Sequence, residues 1–142
     1  MPEESTTSDL VELVRRFFES LECRDFDAAL SLFGPSPVWD MSVMGMGCFE
    51  GPTSIRGLLE DWTGAYDEWE IELEHLLHLG GGVVFAAVIE TGRPLGSTGR
   101  VQMRYAAVAL LVEGMIVRAT TYPDIDEARA AAERLAQERA DG

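Results

Sequence analysis

The 142-residue chain is long enough for one domain that buries a hydrophobic core without disulfides or metal. Its composition, 46% hydrophobic and 25% charged, is typical of a globular protein and excludes the disordered and membrane-spanning classes. The formal net charge of −14 repels phosphate groups. We therefore expect neither nucleic acid nor a membrane as a partner.

Residues 1–8 lack the basic region and apolar stretch of a secretory signal, so we expect a cytoplasmic protein. Cys23 and Cys48 are far apart, with no CxxC motif and no His at metal-ligand spacing. Two buried, reduced thiols and no metal site are expected. The Gly80-Gly81-Gly82 run enters a strand instead of opening a helix, so no dinucleotide or other cofactor site is predicted either.

The first half of the chain predicts the order helix, helix, strand, helix. Helical periodicity covers residues 9–22 and 26–33, and residues 38–43 have the pattern of a strand. A third helix opens at Phe49-Glu50-Gly51-Pro52 and is predicted to include Tyr66. The Gly34-Pro35-Ser36-Pro37 run predicts a turn after the second helix, because proline cannot continue it.

After Tyr66 the period of the apolar residues changes to two, which predicts strands. Four strands are predicted, at residues 69–79, 83–90, 101–112 and 115–122. Consecutive strands joined by short connections predict an antiparallel meander. Asp124 and Glu127 stand in capping-box positions and predict a last helix that reaches about Gln137.

This order of elements resembles that of the SnoaL-like polyketide cyclases. These belong to the nuclear transport factor 2-like superfamily, which also includes steroid Δ-isomerases and limonene epoxide hydrolases. The motifs that carry the resemblance are Val38-Trp39-Asp40, Glu50-Gly51, residues 113–118 and Tyr122-Pro123-Asp124. It covers about residues 9–135 and implies one α+β domain, residues 1–142. A cone-shaped, curved antiparallel sheet would wrap around the N-terminal helices, leave a cavity open at one end and be followed by a C-terminal helix.

The family also implies a homodimer through the outer face of the sheet. The strand at residues 106–112 is apolar on both faces, which agrees with such a contact. Arg104 and Arg118 fall on the opposite parity to the cavity lining. We expect both on the outer sheet face, paired with acids or at the dimer contact.

Asp40 is the first candidate for chemistry, because it matches the position of the proton-shuttling carboxylate in the steroid isomerases. A carboxylate beside an apolar cavity has its pKa raised by desolvation, which suits a base. The alternative is a strand-end Asp that is solvated or hydrogen-bonded to a turn. The isomerases' oxyanion donors would fall on Phe17 and Ala107, which cannot donate, so that mechanism is disfavoured.

Glu90 and His75 are the candidates that would assist Asp40. Glu90 is in phase with Val88, so it lies at the cavity mouth if that face lines the cavity; otherwise it faces water. His75 shares an otherwise apolar face with Trp69 and can titrate or donate to a ligand; a hydrogen-bonded core histidine is the alternative.

An aromatic and thioether lining would suit a small apolar ligand of polycyclic or terpenoid shape. Its candidate ligand-binding residues are Phe17, Trp39, Trp62, Tyr66, Met103 and Tyr105. Filling of the core is the competing account for these side chains. Two functions follow: a cofactor-free isomerase or cyclase acting by proton transfer, or a non-catalytic small-molecule-binding or dimerisation module.

Overall fold

Residues 7–141 of the chain are described by a computed structural model, in which the predicted helices and strands follow in the predicted order, with one additional short strand. The helices are α1 (Thr7–Glu22), α2 (Phe26–Leu30), α3 (Pro52–Gly64) and α4 (Ile125–Asp141). The strands are β1 (Phe33–Asp40), β2 (Cys48–Glu50), β3 (Tyr66–His78), β4 (Val83–Pro94), β5 (Val101–Val112) and β6 (Met115–Tyr122).

All six strands form one curved sheet in the order β2-β1-β6-β5-β4-β3. Strands β3 to β6 pair antiparallel with their chain neighbours, which confirms the predicted meander. Strand β1 runs parallel to β6, so the sheet is mixed and not purely antiparallel as predicted. Helices α1 and α3 pack on the inner face of the sheet, and α4 packs on the outer face.

The main core lies between the inner helices and the sheet. Helix α1 forms because its apolar residues recur on one side, and that side is buried against β3 and β4. The buried members from α1 and α3 are Leu10, Val14, Phe17, Phe18, Leu21, Ile55, Leu58 and Leu59. Inward-facing side chains of β4 and β5, among them Val84, Val88 and Ala109, complete this core.

The proline-containing run after α2 is part of a strand, so the predicted turn there is wrong. Residues 34–37 lie within β1, where the parallel register with β6 shifts between the pairs Phe33–Ile116 and Val38–Arg118. This irregular stretch tolerates proline, because a residue without an N–H loses no ladder hydrogen bond there. The short strand β2 was also not predicted; it pairs only with β1, at the edge of the sheet.

Both cysteines are exposed, so the prediction of buried thiols is wrong. Cys23 follows the last turn of α1, and Cys48 lies on the edge strand β2, where no neighbouring strand covers it. Exposure at an element end or a sheet edge depends on the tertiary arrangement and is not visible in the residue type.

Helix α4 explains why β5 is apolar on both faces. Ala106 and Val108 of β5 point outward and pack with Ala128 and Ala132 of α4, whereas Ala109 points into the main core. The outward apolar residues are therefore covered within one chain. They give no independent support for a dimer contact, and the homodimer stays a prediction.

The tight turn between β3 and β4 depends on Gly82, which has φ +84. A Cβ at this position would lie 2.2 Å from the Leu111 carbonyl oxygen. We expect Gly82→Ala to destabilise the fold by about 2 kcal/mol or more, because it adds a backbone clash to the strain of a left-handed conformation. Gly57→Ala in α3 is the matched control: no atom lies within 4 Å of its Cβ, and we expect it to stabilise by about 0.5–1 kcal/mol.

Urea unfolding followed by circular dichroism measures both free energies. A Gly82→Ala variant as stable as the parent would show that this turn has a different conformation.

Candidate functional site

A pocket of about 320 Å³ lies between α3, the segment that follows β1 and the inner face of the sheet. This volume is at the lower end of the range for small-molecule sites. The lining is mostly apolar and consists of Met41, Met44, Met46, Phe49, Leu58, Asp61, Trp62, Ala65, Tyr66, Met103, Tyr105 and Thr121. Four of the sequence-predicted residues, Trp62, Tyr66, Met103 and Tyr105, therefore lie together at one cavity.

Three of the lining methionines come from one loop, residues 41–47, which we call the methionine loop. Gly45 and Gly47 have φ +81 and +83, and Met41 N donates to the Gly47 carbonyl at 2.7 Å, so the loop closes on itself. Methionine side chains are flexible and polarisable, and they adapt to ligands of different shape. Sequence reasoning missed this wall, although three methionines within seven residues were the available signal.

Among the acidic side chains that the structure describes, that of Glu90 is buried, with an exposed fraction of 2%. It points inward from β4, in phase with Val88, so of the two alternatives left open by the sequence the one in which Glu90 faces water is wrong. Trp62 Nε1 donates a 3.0 Å hydrogen bond to Glu90 Oε2. The Trp62 and Tyr105 rings, with centroids 5.7 Å apart, both line the pocket. The carboxylate therefore stands directly behind the pocket wall.

Three buried polar atoms near this wall have no hydrogen-bond partner in the described part of the chain: Glu90 Oε1, Tyr105 Oη and Trp69 Nε1. We call these three side chains the buried polar cluster. Strand pairing places Glu90 opposite Ile71 and Tyr105 opposite Val88, so Trp69 and Tyr105 are diagonal neighbours of Glu90 on the inner face. An unpaired buried polar group lowers stability by about 1–3 kcal/mol, so such a cluster is a candidate for function.

The phenols around Glu90 are held in their protonated form. Burial, together with the charge of Glu90, raises the pKa of Tyr105 well above its ordinary value, and the same two causes raise the pKa of Tyr66. A close approach of the Tyr105 and Glu90 side chains also raises the pKa of Tyr105, although no hydrogen bond of standard geometry joins Tyr105 Oη to Glu90 Oε1. Both hydroxyls can therefore act as hydrogen-bond donors near neutral pH.

Thr121 supplies a second polar group at the pocket. Its Oγ1 accepts a 2.9 Å hydrogen bond from Trp39 Nε1, and its side chain is buried on β6. Because that bond uses Oγ1 as the acceptor, the hydroxyl hydrogen of Thr121 can still be donated.

Asp40 lies on the outer face of the sheet, away from the pocket. It follows the inward-facing Trp39 in β1, and successive strand residues point to opposite faces. Ser42 donates to Asp40 Oδ1 from Oγ at 2.6 Å and from N at 2.9 Å, and Arg118 contacts Oδ2 at 2.9 Å. The Ser42 hydrogen bonds, helped by Arg118, lower the pKa of Asp40. The predicted raised pKa is wrong, and the predicted alternative, a hydrogen bond to a neighbouring turn, describes this residue.

The prediction that His75 shares a face with Trp69 is also wrong. The register between β3 and β4 shifts between Leu73 and His75, which is a β-bulge at Glu74. One extra residue reverses the facing of the side chains that follow. His75 therefore pairs with Ala87 on the outer face and is exposed. The expected outward facing of Arg104 and Arg118 is confirmed, with Arg104 bound to Glu74 at 2.6 Å and Arg118 to Asp40.

Phe17 and Trp39 lie in the closed end of the core and do not line the pocket. The Phe17 ring packs against Phe33 and Trp39, with centroid distances of 5.5 and 5.6 Å. The space left beside them is about 20 Å³, which holds at most one water molecule. For these two residues, filling of the core is the correct account.

The sequence profile of the SnoaL-like domain matches residues 14–119. The chain belongs to the SnoaL-like family. This result confirms the resemblance drawn from the order of elements. No curated protein sequence matches the chain.

Solved structures of this fold are similar to the SnoaL-like chain at low identity. An epoxide hydrolase of the LEH-like type from M. tuberculosis is 20% identical, with a TM-score of 0.69 over 90% of this chain and 92% of that one. Bal32a, from a soil-derived mobile gene cassette, is 18% identical, with a TM-score of 0.72 over 82% and 89%. A protein of ketosteroid isomerase-like fold from Catenulispora acidiphila, crystallised with trimethylamine, is 14% identical, with a TM-score of 0.69 over 78% and 84%.

The described residues of the SnoaL-like chain contain neither a metal-binding group nor a membrane-spanning helix. No group of three or more His, Cys, Asp or Glu side chains is arranged to hold a metal ion. No described helix is long and apolar enough to cross a membrane.

The Asp40 environment makes a pH-dependent contribution to stability. Because the pKa of Asp40 is lower in the folded chain, its ionised form stabilises the fold at pH values above the unfolded pKa of about 4, and this contribution is lost as the pH falls through the folded pKa. Asp40→Asn should therefore reduce the free energy of unfolding by about 1 kcal/mol at pH 6 and by less at pH 3. Urea titrations of both proteins at each pH measure the difference. An equal difference at both pH values would contradict this account.

Proposed function

We propose that this SnoaL-like chain binds a small, predominantly apolar molecule in the pocket and transfers a proton on it without a cofactor, as an isomerase or cyclase does. Glu90 takes the role of base that the sequence had favoured for Asp40. The observation that carries the proposal is a buried carboxylate directly behind the wall of an open, apolar pocket, with one oxygen that has no hydrogen bond of standard geometry from any described residue.

The proposed division of roles follows from the hydrogen bonds of Glu90. Trp62 donates to Oε2 and orients the carboxylate. Oε1 is then left to accept a proton from a carbon atom next to a carbonyl group of the ligand. The protonated hydroxyl of Tyr105 is suited to donate to the oxygen on which negative charge develops. Apolar walls exclude water, which strengthens both interactions.

A non-catalytic binding protein is the second candidate, and one observation favours it. Glu90 Oε1 and Tyr105 Oη are buried, and Glu90 is not itself part of the pocket lining. A ligand would touch these atoms only after the ring of Trp62 or Tyr105 has moved. Binding alone needs only the shape and the apolar area of the pocket.

Exchange of carbon-bound hydrogen for deuterium separates the two functions. 2-Tetralone, a small bicyclic ketone, is incubated with the protein in D₂O, and the loss of its C1 proton signals is followed by nuclear magnetic resonance. We expect the parent protein to accelerate this exchange and Glu90→Gln to reduce the acceleration by about 100-fold, since general base catalysis contributes about 10²–10⁴-fold. Glu90→Gln keeps an oxygen that accepts from Trp62, so the fold should remain intact.

Asp40→Asn is the matched control, because it removes an acid on the opposite face of the sheet. We expect it to leave the exchange rate unchanged. Binding of 2-tetralone without faster exchange in any of these proteins would favour the non-catalytic binder. An Asp40→Asn variant that loses exchange while Glu90→Gln retains it would overturn the role given to Glu90.

A further inference from the structure

Exposed apolar side chains lie at the pocket and on the chain segments next to it. Large hydrophobic residues that are exposed in the described chain include Met46, Leu95, Val101 and Met103, with exposed fractions of 54%, 60%, 46% and 38%. We call these four residues the apolar rim. Neighbouring exposed apolar residues of this kind are a candidate binding region.

The apolar rim is continuous with the pocket. Met46 and Met103 belong to both, since each lines the pocket and remains exposed. Val101, Met103 and Tyr105 alternate along the inner face of β5 and lead from the strand end to the buried polar cluster. Leu95 N donates to the carbonyl of Ala65 at 3.1 Å, and Ala65 lines the pocket. The backbone of Leu95 is therefore joined to the pocket lining, and its exposed side chain lies next to the pocket.

The pocket is polar at its inner end and apolar at its entrance. A site for an ordinary amphiphile has the reverse arrangement, because the polar end of such a ligand faces water. Here the Tyr105 hydroxyl and the Glu90 carboxylate lie behind the aromatic rings of the inner wall, and exposed apolar side chains lie at and next to the entrance. The net charge of −14 and Asp61 at the pocket disfavour an anionic head group.

We propose that the ligand is elongated, with a neutral hydrogen-bonding head, such as a phenol or a ketone, that enters first and an apolar tail that leaves along the apolar rim. The tail covers Leu95 and Val101 and removes their side chains from water. This inference rests on the proposed binding of a small molecule in the pocket and adds the class and the orientation of that molecule.

A series of 4-alkylphenols tests the proposal, with binding followed by tryptophan fluorescence. The probes are 4-methylphenol, 4-butylphenol and 4-octylphenol. Each added methylene that leaves water should lower Kd by up to about fourfold, and the decrease should continue from the butyl to the octyl compound. The double variant Leu95→Ser/Val101→Ser should weaken binding of 4-octylphenol by about 10-fold and leave that of 4-methylphenol within twofold.

Val112→Ser is the matched control, because Val112 is an exposed valine at the other end of β5. It should leave the binding of all three phenols unchanged. An equal loss in Val112→Ser and in the rim variant would mean nonspecific partition onto the surface and would overturn the proposal. An octyl compound that binds no more tightly than the butyl compound would overturn it as well.

Failure of the proposed function gives a different result. If no phenol binds the parent protein, the pocket itself is not a small-molecule site. Analytical ultracentrifugation of the parent and of the Leu95→Ser/Val101→Ser variant tests a further alternative. If the parent is a dimer and the variant is a monomer, a second copy of the chain covers the apolar rim. That result would overturn the tail-binding role and assign the rim to self-association.

Discussion

The hydrogen bond from Trp62 Nε1 to Glu90 Oε2 is the interaction on which the arrangement of the pocket depends. It joins α3 to β4 at 3.0 Å, across the inner face of the sheet. A carboxylate with an exposed fraction of 2% has lost its water, so this bond is a large share of what remains to stabilise it. Trp62 therefore forms a wall of the pocket and also orients the acid behind it.

Asp40 and Glu90 show how the two faces of one sheet produce opposite electrostatics. Asp40 faces outward, where Ser42 and Arg118 satisfy its oxygens and lower its pKa. Glu90 faces inward, where one oxygen has no hydrogen-bond partner among the described residues, and burial together with the charge of Glu90 raises the pKa of Tyr105. A satisfied carboxylate is suited to stabilising the fold, whereas an incompletely satisfied one is suited to chemistry or ligand recognition.

The buried polar cluster and the apolar rim are both unfavourable for the isolated chain. Unpaired atoms in Trp69, Glu90 and Tyr105 lower stability, and exposed side chains such as Leu95 leave apolar surface in water. Their placement at the two ends of one pocket gives them a common explanation, since a ligand of matching polarity would relieve both. The inner core, packed by α1, α3 and the sheet, supplies the stability that makes these features tolerable.

The sequence by itself determined the order of the elements apart from β2, the bounds of β5 and β6, and the shared phase of Glu90 with Val88, because these follow from the local periodicity of apolar residues. Only the tertiary structure decided which candidates meet at one site. A single extra residue at Glu74 moved His75 to the outer face, and the same alternation along β1 that turned Trp39 inward turned Asp40 outward. Contacts such as that of Trp62 with Glu90 join residues far apart in the chain, and no local pattern encodes the distance between them.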